Sequence, residues 1–494
     1  MKLDPRSIPY RGLRLGVQWA VAVGTLGLVF GSMLDGAVGP ALAGLAVAGA
    51  GLAGAGWAVA YHQRFEFELT AGSLDITSGV IARRTREIPL GRIQNVDIRQ
   101  GVVPRLLGIA EVRFETAGGS GTEASLQYVD QRVAKELQER VDRHGEAEEH
   151  APESDTAVDP TARRAPPRDE PLYAIKPVEL ALLSVTSIDW RAVGFVVLAG
   201  VGVLPDGAST GFEPAPFAPL AALAQPIFLT AAGLVGNAAL LTARFYRFRL
   251  WRAGETLRYE RGLLRRFSGS IPLDRVHLLR FRDNPVTRRL GFAALDIETA
   301  GYGPESEGGS QAAVPIAERG RVLELADSIE PVPDLELRRP PKRARWRYAI
   351  RYGALALLVT AGLFTVDLLV RPLPWYLGVA LLAAAPPAAH LTWVHRGYAL
   401  GERALLVRAG FWRRTTYLVP FYRVQTVGTT ATVFQRRWSL ATVRVDTASG
   451  APAAHDLDRE TARELREAVA DDLLVDRIRR RDDGTPLGTG PATT

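Results

Sequence analysis

Cysteine is absent from the 494 residues, which excludes disulfides, thiolate metal centres and a cysteine nucleophile. Lysine is scarce: Lys2, Lys135, Lys176 and Lys342 are the only ones among 60 basic residues, so the cationic surface is almost wholly arginine. The seven histidines (His62, His144, His150, His277, His390, His395 and His455) show no His-x-x-x-His or paired spacing, which argues against a zinc site. A glycine-rich phosphate loop, a nucleophile elbow and a framed carboxylate pair are all missing as well. These absences leave no constellation for catalysis, so neither an enzyme nor a cofactor is expected, and no nucleic-acid partner.

What is present is an internal repeat. Gly79-Val80-Ile81 leads to Ile88-Pro89-Leu90, Gly262-Leu263-Leu264 to Ile271-Pro272-Leu273, and Gly410-Phe411-Trp412 to Val419-Pro420-Phe421, each by the same interval. From Pro89 to Thr116, Pro272 to Thr299 and Pro420 to Thr447 the spacing is again constant, and Ala117, Ala300 and Ala448 follow. The copies lie much farther apart than the roughly 20 to 50 residues of a solenoid period. A whole domain is therefore expected three times, with something inserted between the copies.

The inserts read as membrane spans. Two apolar stretches precede each copy: 15–34 and 37–61, 180–204 and 218–243, 349–370 and 373–394. Each approaches the roughly 20 residues that cross a bilayer as a helix. Lys2, Arg6, Arg11 and Arg14 precede the first stretch, Arg64 follows the second, and Arg244, Arg247 and Arg249 follow the fourth. Lys342, Arg343, Arg345, Arg347 and Arg351 precede the fifth, whereas the three hairpin loops hold Arg371 alone. The positive-inside bias then places both termini and all three domains in the cytoplasm. A cleaved signal ending at Ala41-Leu42-Ala43 fits less well, because the apolar run exceeds the usual 7 to 15 residues and a second follows directly. Glycines within 49–56 fall inside a span, where small residues let helices approach. Pro386-Pro387 should kink or break the sixth span. Asp189, Arg191 and Asp367 are ionisable groups in apolar surroundings; 178–188 reads as a short interfacial helix that leaves Asp189 and Arg191 at the headgroups.

Each copy alternates with period two, as in Phe65-Glu66-Phe67-Glu68-Leu69, Val112-Arg113-Phe114-Glu115-Thr116, Leu295-Asp296-Ile297-Glu298-Thr299 and Val443-Arg444-Val445-Asp446-Thr447. That marks strands with one buried face. Turn signals at Ala71-Gly72, Ala253-Gly254 and Gly401-Glu402 come before the second strand, and each proline should sit at the start of a strand or in its preceding turn. Helices are expected to close the copies over 129–143, 316–329 and 458–480, the last with Asp458 as N-cap and Leu465, Val469 and Leu473 on one face. The fold class is thus α+β: six transmembrane helices as three hairpins, each followed by a small β-sandwich or partly open barrel with a C-terminal helix. The boundaries read as hairpins at 1–62, 172–244 and 349–395 and domains at 63–144, 245–330 and 396–481. A disordered acidic, Pro-rich linker (145–171), a stiff connector (331–348) and a frayed tail (482–494) complete the chain.

The run Ile88-Pro89-Leu90-Gly91-Arg92-Ile93-Gln94-Asn95-Val96, with Arg105-Leu106-Leu107-Gly108 and Glu115-Thr116-Ala117-Gly118, resembles the bacterial pleckstrin-homology family of the YdbS and YdbT type. The second copy matches it through Ile271-Pro272-Leu273-Asp274-Arg275-Val276, Arg289-Leu290-Gly291 and Glu298-Thr299-Ala300-Gly301. The third has Ser439 and Ser449 where the others have glycine. The resemblance implies a pleckstrin-homology-like sandwich and membrane attachment, and no reaction.

Three positions carry the same charge in every copy: Arg92, Arg275 and Arg423; Arg105, Arg288 and Arg436; and Glu115, Glu298 and Asp446. One expectation is structural, an exposed pairing of the acid with one arginine, worth about 0 to 1 kcal/mol. The other makes these arginines, with Arg83, Arg266 and Arg414, a basic face for phosphates or an acidic partner. The functional expectation is a polytopic protein of the cytoplasmic membrane that acts by binding, as a scaffold or an envelope-stress or export accessory. Its partners would be membrane lipids and another protein, with oligomers in view. A transporter or channel through the bundle is the alternative, disfavoured by the few polar residues in the spans.

Overall fold

The computed structural model describes residues 1–30, 38–70, 72–116, 122–149, 171–187, 218–299, 311–369 and 375–482. One order of elements recurs three times. The first copy has a helical hairpin, α1 (Ser7–Phe30) and α2 (Val38–Arg64), then β1 (Glu66–Leu69), β2 (Ser73–Ser78) and β3 (Arg84–Pro89). After a short 3-10 turn come β4 (Ile93–Gln100), the five-residue helix α3 (Val102–Leu106), β5 (Ile109–Thr116), β6 (Thr122–Asp130) and α4 (Gln131–Glu149). The second copy has β7 (Tyr173–Ala174), α5 (Pro177–Thr186), α6 (Ala218–Phe245), β8 (Arg249–Ala253), β9 (Thr256–Arg261) and β10 (Arg266–Pro272). It continues with β11 (Val276–Asp283), α7 (Pro285–Arg289), β12 (Phe292–Thr299), β13 (Gln311–Glu318) and α8 (Arg319–Asp327). The third copy has α9 (Lys342–Leu369), α10 (Leu377–Val394), β14 (Gly397–Leu400), β15 (Ala404–Ala409), β16 (Arg414–Pro420) and β17 (Val424–Thr430). It ends with α11 (Val433–Arg437), β18 (Leu440–Thr447), β19 (Ala453–Asp458) and α12 (Arg459–Asp482).

The first copy buries one core between β1–β3, β4–β6 and its last helix: Phe67 and Ile88 come from β1–β3, Val112 and Phe114 from β5, and Leu137 and Val141 from α4. The third repeats this with Leu405, Val419, Val443 and Val445 beneath Leu465 and Val469 of α12. Alternation does the sorting, as in β1, where Phe67 is buried between exposed Glu66 and Glu68.

Local geometry repeats residue by residue. Gly79, Gly262 and Gly410 have φ of +118°, +108° and +93°, and a Cβ on any of them would collide with the carbonyl oxygen of Ala82, Arg265 or Arg413. Only glycine closes this turn without strain. Pro89, Pro272 and Pro420 end β3, β10 and β16, directly before the 3-10 turn that precedes the next strand, rather than opening a strand. Their missing N–H is harmless there, and the next residue donates back each time: Leu90 to Gly72 O, Leu273 to Glu255 O, Phe421 to Arg403 O, at 2.8 to 2.9 Å. Gly108, Gly291 and Ser439 follow α3, α7 and α11 with positive φ, so Ser439 performs the glycine role at a steric cost.

Two expectations change. The closing helices start later, at Gln131, Arg319 and Arg459, because Val129 and Ile316 still belong to strands β6 and β13. Helix α10 runs unbroken through Pro386 and Pro387, with Ala385 and Ala389 buried beside them.

The sheets do not stop at copy boundaries. One seven-stranded sheet has the order β6-β5-β4-β10-β9-β8-β7, and a six-stranded one β13-β12-β11-β16-β15-β14. Hence β4 of the first copy pairs with β10 of the second, and β11 of the second with β16 of the third. Two compact units result, Met1–Ala174 with Arg247–Arg275, and Ile175–Tyr246 with Val276–Thr494, so the middle copy contributes strands to both.

Among the described residues, two helices are long and apolar enough to cross a membrane, Gly44–Arg64 of α2 and Lys342–Leu369; 178–186 and 378–394 lie in shorter apolar helices. In the first hairpin, a Cβ on Gly16 would lie 2.9 Å from Gly51 O and one on Gly54 2.8 Å from Leu15 O, so the glycines do set the helix approach. Helix α5 covers 178–186 of the expected interfacial segment, Asp367 lies in the last turn of α9, and Ile188, Asp189, Arg191 and most of the expected third span lie outside the described residues.

Candidate membrane-facing site

In each copy the chain just before the helices pairs with the first strand after them. Before the hairpin, Lys2 bridges to Glu66 of β1, Tyr173 pairs with Leu250 of β8, and Arg338 exchanges both backbone hydrogen bonds with Tyr398 of β14 at 2.8 and 3.0 Å. The chain therefore leaves for the helices beside the strand on which it returns.

Two loops of each copy project large apolar side chains next to arginines. The first is the glycine turn between the second and third strands, with Ile81, Leu263 and Leu264, and Trp412 exposed beside Arg83, Arg265 and Arg266, and Arg413. The second is the five-residue helix, exposing Val102, Val103 and Leu106 in α3, Val286 in α7 with Leu290 just beyond it, and Val433 and Phe434 in α11. Arg105, Arg289, Arg436 and Arg437 are exposed on these helices. Burial could have hidden such residues, yet Ile81 is 88% exposed, Leu106 82%, Phe434 72% and Trp412 68%.

In the first and third copies these tips sit at the hairpin ends. In the first copy, Arg6 at the start of α1 donates to Leu107 O beside α3 at 3.3 Å, and Arg64 at the end of α2 donates to Val80 O in the glycine turn at 2.9 Å. In the third, Arg343 at the start of α9 donates to Ser439 O at 3.0 Å, and His395 at the end of α10 stacks edge-on against Phe411 at 5.1 Å. In the second, Asn284, which caps α7, donates to Thr186 O at the end of α5 at 3.0 Å.

A buried carboxylate fixes the third hairpin. Asp456 is fully buried with φ +61°, and accepts from Tyr348 (2.6 Å), Gln435 (2.8 Å), Arg396 (3.0 Å) and Arg347. One acid thereby joins α9, the strand entry after α10, α11 and β19. Burial alone would raise its pKa, but the hydrogen bonds from Tyr348, Arg347 and Gln435 prevail and hold the carboxyl below its usual range.

The arginines singled out in the sequence separate into three groups. Arg83, Arg92, Arg105, Arg266 and Arg436 are exposed. Arg275 is half-buried, donates to Ile93 O and lies 3.6 Å from Asp274; Arg423 stacks on Tyr422 at 4.8 Å. Arg414 and Arg288 turn inward onto Asp283, at 2.5 and 3.1 Å, and Arg288 also donates to Phe411 O. Arg408 stands near the same acid, and burial followed by the charge of Arg414 pushes its pKa down to about 10.

The pairing expected of the acids takes other partners. Glu298 lies 2.7 Å from Arg280, which also reaches Asp296 at 3.0 Å, and Asp446 faces Arg444 at 3.4 Å. Burial nevertheless pushes Glu298 up to about 7, since Arg280 is shared with Asp296 and the Asp296 charge opposes its ionisation. The Glu115 side chain lies outside what is described. Sequence reading missed Asp456 and Asp283 altogether. No sequence signal marked them: Asp283 pairs with Arg414 of the next copy, and Asp456 with Arg347 and Arg396, which are distant in the chain.

No solved structure matches the chain. It is 24% identical over 433 residues to the UPF0699 transmembrane protein YdbT of Bacillus subtilis (strain 168), covering 83% of this chain and 84% of that relative. The family model described as Bacterial PH domain matches three times, at residues 21–144, 193–331 and 347–473. With more than half of its length matched, in three successive copies, the chain belongs to the bacterial PH domain family.

Proposed function

We propose that this is a multi-pass protein of the cytoplasmic membrane, with three hairpins and three cytoplasmic PH-like domains, that works by binding and performs no catalysis. The domains lie against the headgroup layer with their apolar tips immersed and the flanking arginines on anionic phosphates, and their remaining surface serves as a scaffold for protein. The observation that carries this reading is the position of the tips. In the first and third copies both of them adjoin the ends of that copy's own hairpin, where a span must enter the headgroups. Apolar residues between cationic ones suit that layer, which offers hydrocarbon below and phosphate above. The arginines with this role are Arg83, Arg105, Arg266, Arg413 and Arg436.

Two experiments test it. Reporters fused within 145–171 or after Thr494 should read cytoplasm and one within 205–217 exterior; an exterior linker would remove the three-hairpin arrangement. Native mass spectrometry of the full chain released from phosphatidylcholine and phosphatidylglycerol nanodiscs should find anionic lipid retained. Retention should fall in a Arg83→Glu, Arg266→Glu, Arg436→Glu variant, and unchanged retention would leave protein alone as the ligand.

A further inference from the structure

Sheet continuation between copies obeys one register. Gln100 and Asp283 stand at the same distance after the strand-ending prolines Pro89 and Pro272, while Arg266 and Arg414 stand at the same distance after the turn glycines Gly262 and Gly410. The structure pairs Gln100 with Arg266 and Asp283 with Arg414, then Ile98 with Ser268 and Phe281 with Thr416. The fourth strand of a copy thus receives the third strand of the next copy, twice, in the same alignment.

Two strands of these types lie at sheet edges. Among the described strands, β17 pairs with β18 only, and β3 with β2 only. Their exposure matches: Thr426 and Thr429 of β17 are exposed where Leu278 of β11 and Ile98 of β4 are buried. On the other edge, Glu87 of β3 is exposed where Ser270 of β10 and Leu418 of β16 are buried. An open edge invites pairing, and proteins usually guard it with charge, proline or a bulge. Strand β17, Val-Gln-Thr-Val-Gly-Thr-Thr, has neither charge nor proline, and its register shift between Val424 and Thr426 lies at its start, as do those of β4 and β11, which accept a strand all the same.

We propose that β17 of one chain receives β3 of a second copy of this chain, continuing the internal series across molecules. The internal register sets Thr429 opposite Thr85, Thr430 opposite Arg84 and Val427 opposite Glu87. The uncharged face of β17 meets the charges of β3 without like-charge repulsion, and main-chain hydrogen bonds supply the affinity. The contact is heterologous, since each chain offers a different edge, so it generates a ring if the rotation closes and an open row along the membrane if it does not.

The cysteine-free chain makes the test clean. Two differently tagged full-length variants, Thr85→Cys and Thr429→Cys, are co-expressed and oxidised in native membranes. Directly opposed antiparallel residues fall within the Cα separation a disulfide spans. A disulfide-linked heterodimer of the two tags is expected, and it should vanish when Thr429→Cys is exchanged for Arg466→Cys on the outer face of α12. Phe281→Cys with Thr416→Cys in one chain monitors the oxidation, because these residues already face each other. If that internal pair closes while the mixed variants stay monomeric, the proposal is overturned. It is overturned equally if Thr429→Cys links only to itself, or if a Thr85→Cys, Thr429→Cys double variant closes only within one chain.

Discussion

Replacing Asp456 by alanine should loosen the third domain from its hairpin more than any other single change. The carboxylate is fully buried and accepts from Tyr348, Gln435, Arg396 and Arg347, so its removal leaves two guanidinium groups and a hydroxyl without their acceptor. Breaking a buried ion pair costs roughly 3 to 5 kcal/mol. The left-handed φ adds about 1 kcal/mol for alanine, which disfavours that region more than aspartate or asparagine. We expect a loss of about 4 to 6 kcal/mol for Asp456→Ala, and about 3 to 5 kcal/mol for Asp456→Asn, which tolerates the left-handed turn but equally removes the counter-charge. Trp438 and Trp393 pack in the adjoining cluster and report the transition by fluorescence during denaturant titration in detergent. Adding Arg347→Met and Arg396→Met should restore part of the loss, since the arginines are then no longer buried without a counter-charge. The carboxyl is held below its usual range, so its contribution is complete above about pH 4 and is lost as pH falls through the lower folded value. Asp456→Asn should lack that acid step. A loss under about 1 kcal/mol for Asp456→Ala would refute the reasoning, because a buried acid with these partners cannot be removed so cheaply.

Glu298 behaves in the opposite sense: its pKa, pushed up to about 7 by burial, makes the folded state favour the protonated acid. Its contribution is complete below about pH 4.5 and declines as pH rises to 7, so Glu298→Gln should flatten the thermal-unfolding profile between pH 5 and 8. Alanine at Gly79, Gly262 or Gly410 should destabilise by about 1 to 2 kcal/mol or more, measured by denaturant midpoint, because the positive φ and the opposing carbonyl both resist a Cβ. Ser439→Gly should stabilise by up to about 1 kcal/mol, the relief of strain being partly offset by the freer unfolded chain. Arg414→Ala should cost near the low end of roughly 3 to 5 kcal/mol, since Arg288 still faces Asp283, whereas Arg266→Ala at the matching exposed position should be almost neutral.

Much of the fold was legible because it is local. Period-two alternation located β1, β5, β12 and β18, and the Gly and Pro landmarks fell at the same turn and strand end in all three copies. The resemblance to bacterial pleckstrin-homology domains came from those same landmarks. What could not be read was partnership. Alternation says which face of β10 is buried, not that its edge meets β4 of another copy; a backbone ladder leaves no mark on side-chain pattern. Charge was read by position alone, so Arg343 and Arg347 looked like flanking charges of a span, whereas they also bind the third domain through Ser439 O and Asp456. Likewise Arg83, Arg266 and Arg414 are equivalent in sequence, yet only Arg414 has an acid opposite it, Asp283, where the matching partner of Arg266 is Gln100. The apolar tips were visible as residues and went unused, because exposure is a property of the folded copy.

Whether the tips lie in the headgroup layer decides the account most directly. A spin label on Phe434→Cys in the full chain, reconstituted in vesicles containing phosphatidylglycerol, reports depth through its relative access to oxygen and to a water-soluble nickel chelate. Immersion at headgroup depth is expected, together with a label on Arg466→Cys that stays fully in water. Equal, water-like accessibility at both positions would contradict a membrane-seated domain.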